Sequence, residues 1–303
     1  MTETGMKALI GRGALLLASF LWGSSFVVVK GSLESLSPMW LPAIRCGLAS
    51  LLLLVICARR LKAIDRQYLR GGLLMGLFLS AACLLQVYGL VYTTPGKSAF
   101  LTSSYCVMVP FLAWRLRGKR PDAYNVGAAF ICLAGIAFVS LGRELSAEVG
   151  DLLTVLGGFF LALHLIVTDR YIGGRDPLLL TAVQTVTAAA VMLCAAALVE
   201  PLPDLGELPA SLWLRLAYLS AVCSAACYLL QIFGQKYTPP TATAVIMALE
   251  SIFGTAVSLL FYGERLSVGM AAGFLLIFVS VIVSETKLSF LRAPSARLRR
   301  ERG

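Results

Sequence analysis

Apolar residues in this chain neither alternate nor mark one face of a helix; they run on unbroken between charged positions. Ten such stretches cover residues 13–29, 39–58, 71–96, 98–114, 123–142, 152–168, 177–199, 216–235, 237–263 and 266–284. Eight hold no Asp, Glu, Lys or Arg; the second holds Arg45 and the ninth holds Glu250. A hydrocarbon layer about 30 Å thick takes roughly 17 to 25 apolar residues per crossing helix, and a lipid-exposed strand would leave backbone polar groups unpaired. The pattern therefore predicts an all-α membrane protein with ten transmembrane helices. The first stretch follows a short basic lead, as a cleavable signal sequence would, but the nine spans after it argue that it is retained as the first helix.

The stretches are not independent. LLQVYGLVYTTP at 84–95 returns 145 positions later as LLQIFGQKYTPP at 229–240, with seven of twelve positions identical. The match continues without a gap to GKR at 118–120 and GER at 263–265, and a second alignment at offset 139 sets PMWLPAIR (38–45) against PLLLTAVQ (177–184). The chain reads as a tandem duplication, with units expected at 1–147 and 148–286 and a basic tail at 287–303. Five spans per unit is an odd number, so the second copy enters the membrane from the opposite side. This predicts an inverted repeat of two five-helix units, with a ligand site near the midplane where they meet. Short connections at 93–97 and 263–267 make sequential helices antiparallel neighbours. The longest loop, the acidic, proline-rich PLPDLGELPA at 201–210, is expected to be an extracytoplasmic cap. Gly72, Gly76 and Ser80 recur every four residues and are read as a close intramolecular contact rather than a dimer face, so a monomer or weak homodimer is expected.

Composition agrees: 58% of residues are hydrophobic and 14% charged, outside the usual range for a soluble domain. The net charge of +10 could suggest nucleic acid, yet the basic residues are sorted by loop. With the N-terminus inside, cytoplasmic segments hold twenty of the 26 Lys and Arg, whereas only Lys30, Lys97, Arg143, Arg215 and Arg265 fall outside. That bias places both termini in the cytoplasm and makes the lipid bilayer, not nucleic acid, the expected partner. The tail at 291–303 is read as a solvated segment attracted to anionic lipid. All eight cysteines lie in or beside apolar spans without a CxxC pair, which reads as packing rather than metal or redox chemistry.

Polar groups inside the spans are the candidates for function, because a charge at the bilayer centre costs roughly 2.5 to 3.5 kcal/mol even on insertion scales. Glu250 and the sole histidine, His164, each lie 13 residues from an outer end of their span, at Gly263 and Asp151. That is a depth of about 20 Å for both. They are expected to share a cavity, where either could hold a substrate amine or carboxylate, or carry a coupling proton. Arg45, two turns into the second span, is assigned to snorkelling or to gating and anion contact. Gln86 and Gln231 are repeat mates able to bond substrate or to pin helices together. Trp22, Tyr88, Tyr92, Phe100, Tyr105 and Tyr228 interleave with these groups and would suit a planar or apolar solute. Tyr92, Trp114, Trp213 and Tyr237 also fit an interfacial belt. Pro110 and the pair Gly157 and Gly158 are candidate bend points. The chain has no HExxH, GxSxG or Walker loop, which argues against an enzyme and against an ATP-driven pump. No metal or cofactor is called for, and a pore remains the rival to a carrier.

The run at 237–282, with a Leu-Glu pair at Leu249 and Glu250, a Gly-Glu-Arg-Leu turn at 263–266 and a glycine-containing last helix, resembles the EamA-type repeat of the drug/metabolite transporter superfamily. LWGSSFVVVK at 21–30, which carries Trp22 and Ser25, is similar to the family's first-helix signature. The resemblance implies a ten-helix carrier of the bacterial inner membrane, most often an exporter of amino acids or similar metabolites. It further implies that the first, third, fourth and eighth spans line the central path. The substrate-binding set expected on these grounds is Trp22, Ser25, Gln86, Tyr88, Phe100, Tyr105, His164, Tyr228, Gln231 and Glu250, with Arg45 and Pro110 in gating. Aromatic or branched amino acids are the favoured substrates; other small metabolites, drugs, or passive passage of small solutes are the alternatives. The copies also depart from one another: Tyr105 stands opposite Glu250, and Lys119 opposite Glu264, so there is no symmetric pair of carboxylates.

Overall fold

In the computed structural model, which describes residues 3–118, 120–141, 149–261 and 266–287, the described residues form helices and turns without a strand. The turn at 263–265, Lys119, Arg143, Glu264 and the tail at 291–303 lie outside the described residues. Helices α1 (Glu3–Ser32), α2 (Trp40–Cys57) and α3 (Arg66–Val91) are followed by α4 (Pro95–Thr102), α5 (Tyr105–Arg117) and α6 (Ala123–Leu141). The second half runs α7 (Val149–Tyr171), α8 (Pro177–Val199), α9 (Ala210–Ser220), α10 (Cys227–Gln235), α11 (Pro240–Met247), α12 (Glu250–Phe261) and α13 (Val268–Thr286).

Local chemistry explains several starts. Asp65 accepts from the amides of Gln67 and Tyr68 at 2.8 and 2.9 Å, capping α3. Asp176 caps α8 through the Leu178 amide at 3.0 Å, ahead of Pro177 at the first helical position, where a missing N–H is harmless. Proline also opens α4 and α11.

Eight helical segments are long and apolar enough to cross a membrane: Gly5–Ser32, Trp40–Ala63, Arg66–Val91, Pro95–Arg117, Val149–Tyr171, Pro177–Val199, Ala210–Gln235 and Pro240–Phe261. Two shorter apolar helices, Ala123–Gly135 and Ala271–Ser280, occupy the places of the fifth and tenth expected spans. The chain is a multi-pass membrane protein.

The fourth and ninth stretches are not the single helices that their hydropathy suggests. Each is two half-helices parted by two residues, Ser103 and Ser104 in one case, Ala248 and Leu249 in the other. At both breaks the backbone tightens to i→i+3 bonds, Ser104 to Leu101 at 3.1 Å and Leu249 to Ile246 at 3.2 Å. The break lies upstream of Pro110, which sits inside α5, and α7 passes Gly157 and Gly158 without interruption. The eighth stretch carries a π-helical turn, Ala221–Ala226, between α9 and α10.

The duplication is visible in the element bounds. Adding 145 to the limits of α4 and α6 returns those of α11 and α13. Copies also pack on one another, α6 along α13 and α2 along α8. Two contacts join residues 145 apart: the Cys83 thiol meets the Tyr228 hydroxyl at 3.5 Å, and Ser103 Oγ donates to the Ala248 carbonyl at 3.4 Å.

Helix α3 lies against both α7 and α8. The Gly72 and Gly76 stripe faces α8: a β-carbon on Gly76 would fall 2.5 Å from Thr187 Cβ and 2.6 Å from the Gln184 carbonyl. Alanine would gain about 1 kcal/mol of helix propensity at an ordinary site. Here overpacking, typically costing about 1–3 kcal/mol, outweighs that gain because backbone must move. Gly76→Ala is therefore expected to lower the unfolding temperature in detergent and Gly76→Leu to lower it further. An unchanged or higher temperature for both would contradict this α3–α8 contact.

At the membrane edge, Asp122 caps α6 through the Asn125 amide at 2.8 Å and pairs with Lys287 at 2.5 Å. Burial pushes its carboxyl up, but the bond from Lys287 and the backbone amides together outweigh that and hold it below the ordinary value of 3.8. A depressed folded value means that the contact stabilises above the ordinary value and fades as pH falls through the depressed one. Hydrogen exchange at the start of α6 should accelerate in Asp122→Asn at neutral pH, and equal protection in the two proteins would contradict it.

Candidate functional site

Where α1, α3, α7 and α10 converge on the two helix breaks, a cavity opens. Helix α1 contributes Trp22, Ser25 and Phe26, and α7 contributes Leu161, His164 and Leu165. Arg45 enters from α2, Cys83 and Gln86 from α3, Tyr228 and Gln231 from α10, and Met247 from the end of α11. Tyr105 and Glu250, the first residues of α5 and α12, complete the wall.

The lining follows the duplication. At offset 139, Trp22, Ser25 and Phe26 correspond to Leu161, His164 and Leu165; at offset 145, Cys83, Gln86 and Tyr105 correspond to Tyr228, Gln231 and Glu250. Both copies thus supply equivalent positions to one cavity, with different chemistry at each.

Several polar groups here have no partner. Glu250 is buried and the Tyr105 hydroxyl, at the equivalent position, lies beside it, also buried; no hydrogen bond of ordinary length reaches Glu250 Oε1 or that hydroxyl. Arg45 is 7% exposed; its guanidinium lies beside the Cys46 thiol and its Nη2 meets the Cys83 sulfur at 3.8 Å, while its Nε has no partner. Among the described residues no carboxylate pairs with Arg45 and no cation pairs with Glu250. Unpaired charges inside a membrane bundle are costly and mark ligand or ion sites.

Other members are already engaged. The ring Nε2–H of His164 donates to Gln184 Oε1 at 2.8 Å. Trp22 Nε1 donates to the Cys223 carbonyl at 2.7 Å, and its ring meets Tyr228 edge-on at 5.4 Å. Gln86 donates to Thr102 Oγ1 at 3.0 Å, at the end of α4, and Gln231 donates to Gln235 at 3.3 Å. These bonds fix the walls and leave Glu250, Tyr105 and Arg45 as the open polar groups.

Of the ten residues expected to bind substrate, the structure brings Trp22, Ser25, Gln86, Tyr105, His164, Tyr228, Gln231 and Glu250 to this cavity, together with Arg45. Tyr88 and Phe100 stand apart from its lining. The Tyr88 hydroxyl donates to Glu200 at 3.1 Å, and Ser37 donates to the same carboxylate, so Tyr88 ties the end of α3 to the end of α8. Phe100 is fully buried and stacked on Phe274 at 4.9 Å, which makes it a packing residue between α4 and α13. Pro110 is buried in α5 away from the cavity. Gln184, the fixed partner of His164, was not singled out by sequence; a lone amide within apolar α8, aligned with Arg45 at offset 139, was the available signal.

A sequence model of the EamA-like transporter family matches this chain twice, over residues 9–141 and 148–286. The chain belongs to the EamA-like transporter family. A transporter of Archaeoglobus fulgidus, described as uncharacterized, is 27% identical over 279 residues, covering 92% of this chain and 87% of the relative. The uncharacterized transporter YwfM of Bacillus subtilis is 24% identical, covering 92% and 94% of the two chains. A solved crystal structure shares the fold with a TM-score of 0.75 at 17% identity, over 95% of this chain and 99% of that one. The two EamA matches meet at the cavity, since each contributes one of its matching sets of lining residues.

Proposed function

We propose that this EamA-family protein is a secondary transporter of the bacterial inner membrane that exports small metabolites, foremost aromatic or branched amino acids, by alternating access through the cavity between two inverted five-helix repeats. The observation that carries this reading is the site itself: equivalent positions of both copies enclose one cavity, and two of its open polar groups, Tyr105 and Glu250, sit at helix breaks. In duplicated membrane carriers, broken helices at the repeat interface put half-helix ends and unpaired side chains within reach of a ligand. The self-contacts of residues 145 apart suit a pseudo-two-fold axis running past Cys83, Tyr228, Ser103 and Ala248.

The chemistry of the lining supports an amino acid. Trp22, Tyr105 and Tyr228 offer aromatic surface to an apolar side chain, while Glu250 offers a counter-charge to an ammonium group. Protonation of the same carboxylate would supply the coupling ion.

Purified protein in proteoliposomes preloaded with unlabelled amino acids is expected to accumulate external radiolabelled phenylalanine or leucine transiently, with saturable kinetics. Ohmic single-channel currents without counterflow would contradict a carrier, and counterflow only with non-amino-acid solutes would contradict the substrate.

A further inference from the structure

Arg45 is the one cation lining the cavity among the described residues, and its burial lacks the usual compensation. The duplication shows a partnered version of this position, in which the amide oxygen is bonded although the amide nitrogen is not. At offset 139 the counterpart of Arg45 is Gln184, which is bonded at 2.8 Å to His164 on the neighbouring helix. The counterpart of His164 is Ser25, so symmetry would offer Ser25 to Arg45. Ser25 instead donates to the Trp22 carbonyl at 2.7 Å, within its own helix. The second copy therefore pairs its polar residue across to the neighbouring helix, whereas the first leaves a guanidinium at the cavity wall without a carboxylate or hydroxyl partner, its buried Nε unbonded.

A guanidinium presents a planar fork of donors that matches a carboxylate in two parallel hydrogen bonds. Glu250, supplied by the other copy, is the complementary open charge in the same cavity. A ligand bearing only one charge would leave the other buried group unmatched, which selects against it. We propose that Arg45 is the carboxylate anchor of the transport site: the substrate carboxylate docks on its guanidinium while the substrate ammonium faces Glu250, so the bound species is a zwitterion. This deepens the export reading above and rests on it. It gives Arg45 a role in selecting the solute rather than in snorkelling to the interface.

Competition against labelled phenylalanine in proteoliposomes tests the anchor, using phenylalanine, phenylalaninamide and phenylethylamine as a matched set. In the wild type, phenylalanine should compete at least about tenfold better than either ligand lacking a carboxylate, the loss of a charge-assisted fork. In Arg45→Gln the advantage should vanish, phenylalanine weakening by that factor while phenylalaninamide changes less than about twofold. Arg45→Lys, which keeps charge but not the fork, should fall between. Thermal stabilisation of the detergent-purified wild type by phenylalanine, and not by its amide, supplies a readout that needs no variant to fold. Wild-type protein that carries phenylalanine but binds the amide equally well overturns the anchor alone. So does Arg45→Gln that retains the full acid-over-amide preference. Wild-type protein that carries no amino acid overturns the export reading, and the anchor with it.

Discussion

Glu250→Gln is expected to reduce amino-acid exchange on the order of tenfold to a hundredfold and to flatten its dependence on pH. The size follows from removing one hydrogen bond to a charged group in a dry site, worth about 1.5–3 kcal/mol, at about 1.4 kcal/mol per factor of ten. Glutamine keeps the shape but can neither take up a proton nor neutralise an ammonium. A carboxylate that alternates between proton and substrate makes flux vary with pH; a fixed neutral amide does not. Glu250 is buried at the first turn of α12 beside the Tyr105 hydroxyl, which an amide oxygen can also face, so the substitution keeps the packing that holds the helix. Exchange measured across a pH series should therefore show a lower and level profile, with the protein still monodisperse. A variant with wild-type pH response would remove Glu250 from the proton step, and one with wild-type flux would remove it from the site.

Gly23→Leu should be as damaging by a different route. Helix α1 crosses α12 at this point so closely that a β-carbon on Gly23 would lie 2.6 Å from Phe253 Cβ, 2.7 Å from the Gly254 amide and 2.9 Å from the Glu250 carbonyl. Two of these three neighbours are backbone and cannot yield as a side chain would. Small residues at membrane helix crossings exist to permit such approach, and a leucine there must drive α1 off α12. The same movement displaces Trp22 and Ser25 from Glu250, so binding is lost along with stability. Little folded protein in detergent, or folded protein without detectable exchange, is the expected outcome. Normal yield and normal exchange would show that α1 and α12 do not meet this closely.

Much of this arrangement was legible in the chain before its structure. The apolar stretches located the eight long helical segments, because burying backbone polar groups in lipid permits little else. The duplication anticipated mated elements, and α6 and α13 prove to pack along each other. Glu250, His164, Gln86 and Gln231 were identifiable because polar groups in such stretches are costly enough to need a reason. What escaped was decided by local geometry. The breaks before Tyr105 and Glu250 come from backbone tightening that hydropathy does not register, and Pro110, the obvious suspect in the fourth stretch, lies past the break. Tyr88 sits on α3 like Gln86, two residues away, yet that rotation turns it from the cavity toward Glu200. Phe100 is aromatic on a half-helix that ends at the cavity, but its ring packs outward on Phe274. Arg45 was legible as a costly charge and not as an unpaired one, because that depends on which neighbours the fold sets against its guanidinium.

The account stands or falls on whether this cavity is reached in turn from both faces of the membrane. Ser25→Cys, in a protein whose native cysteines are replaced, places one thiol in the cavity wall, and a membrane-impermeant maleimide can be presented to right-side-out and inside-out vesicles separately. The expected result is labelling from either face, slowed in both cases by saturating phenylalanine. Labelling from one face only, or from both without protection by any transported solute, would contradict a shared path between the two halves.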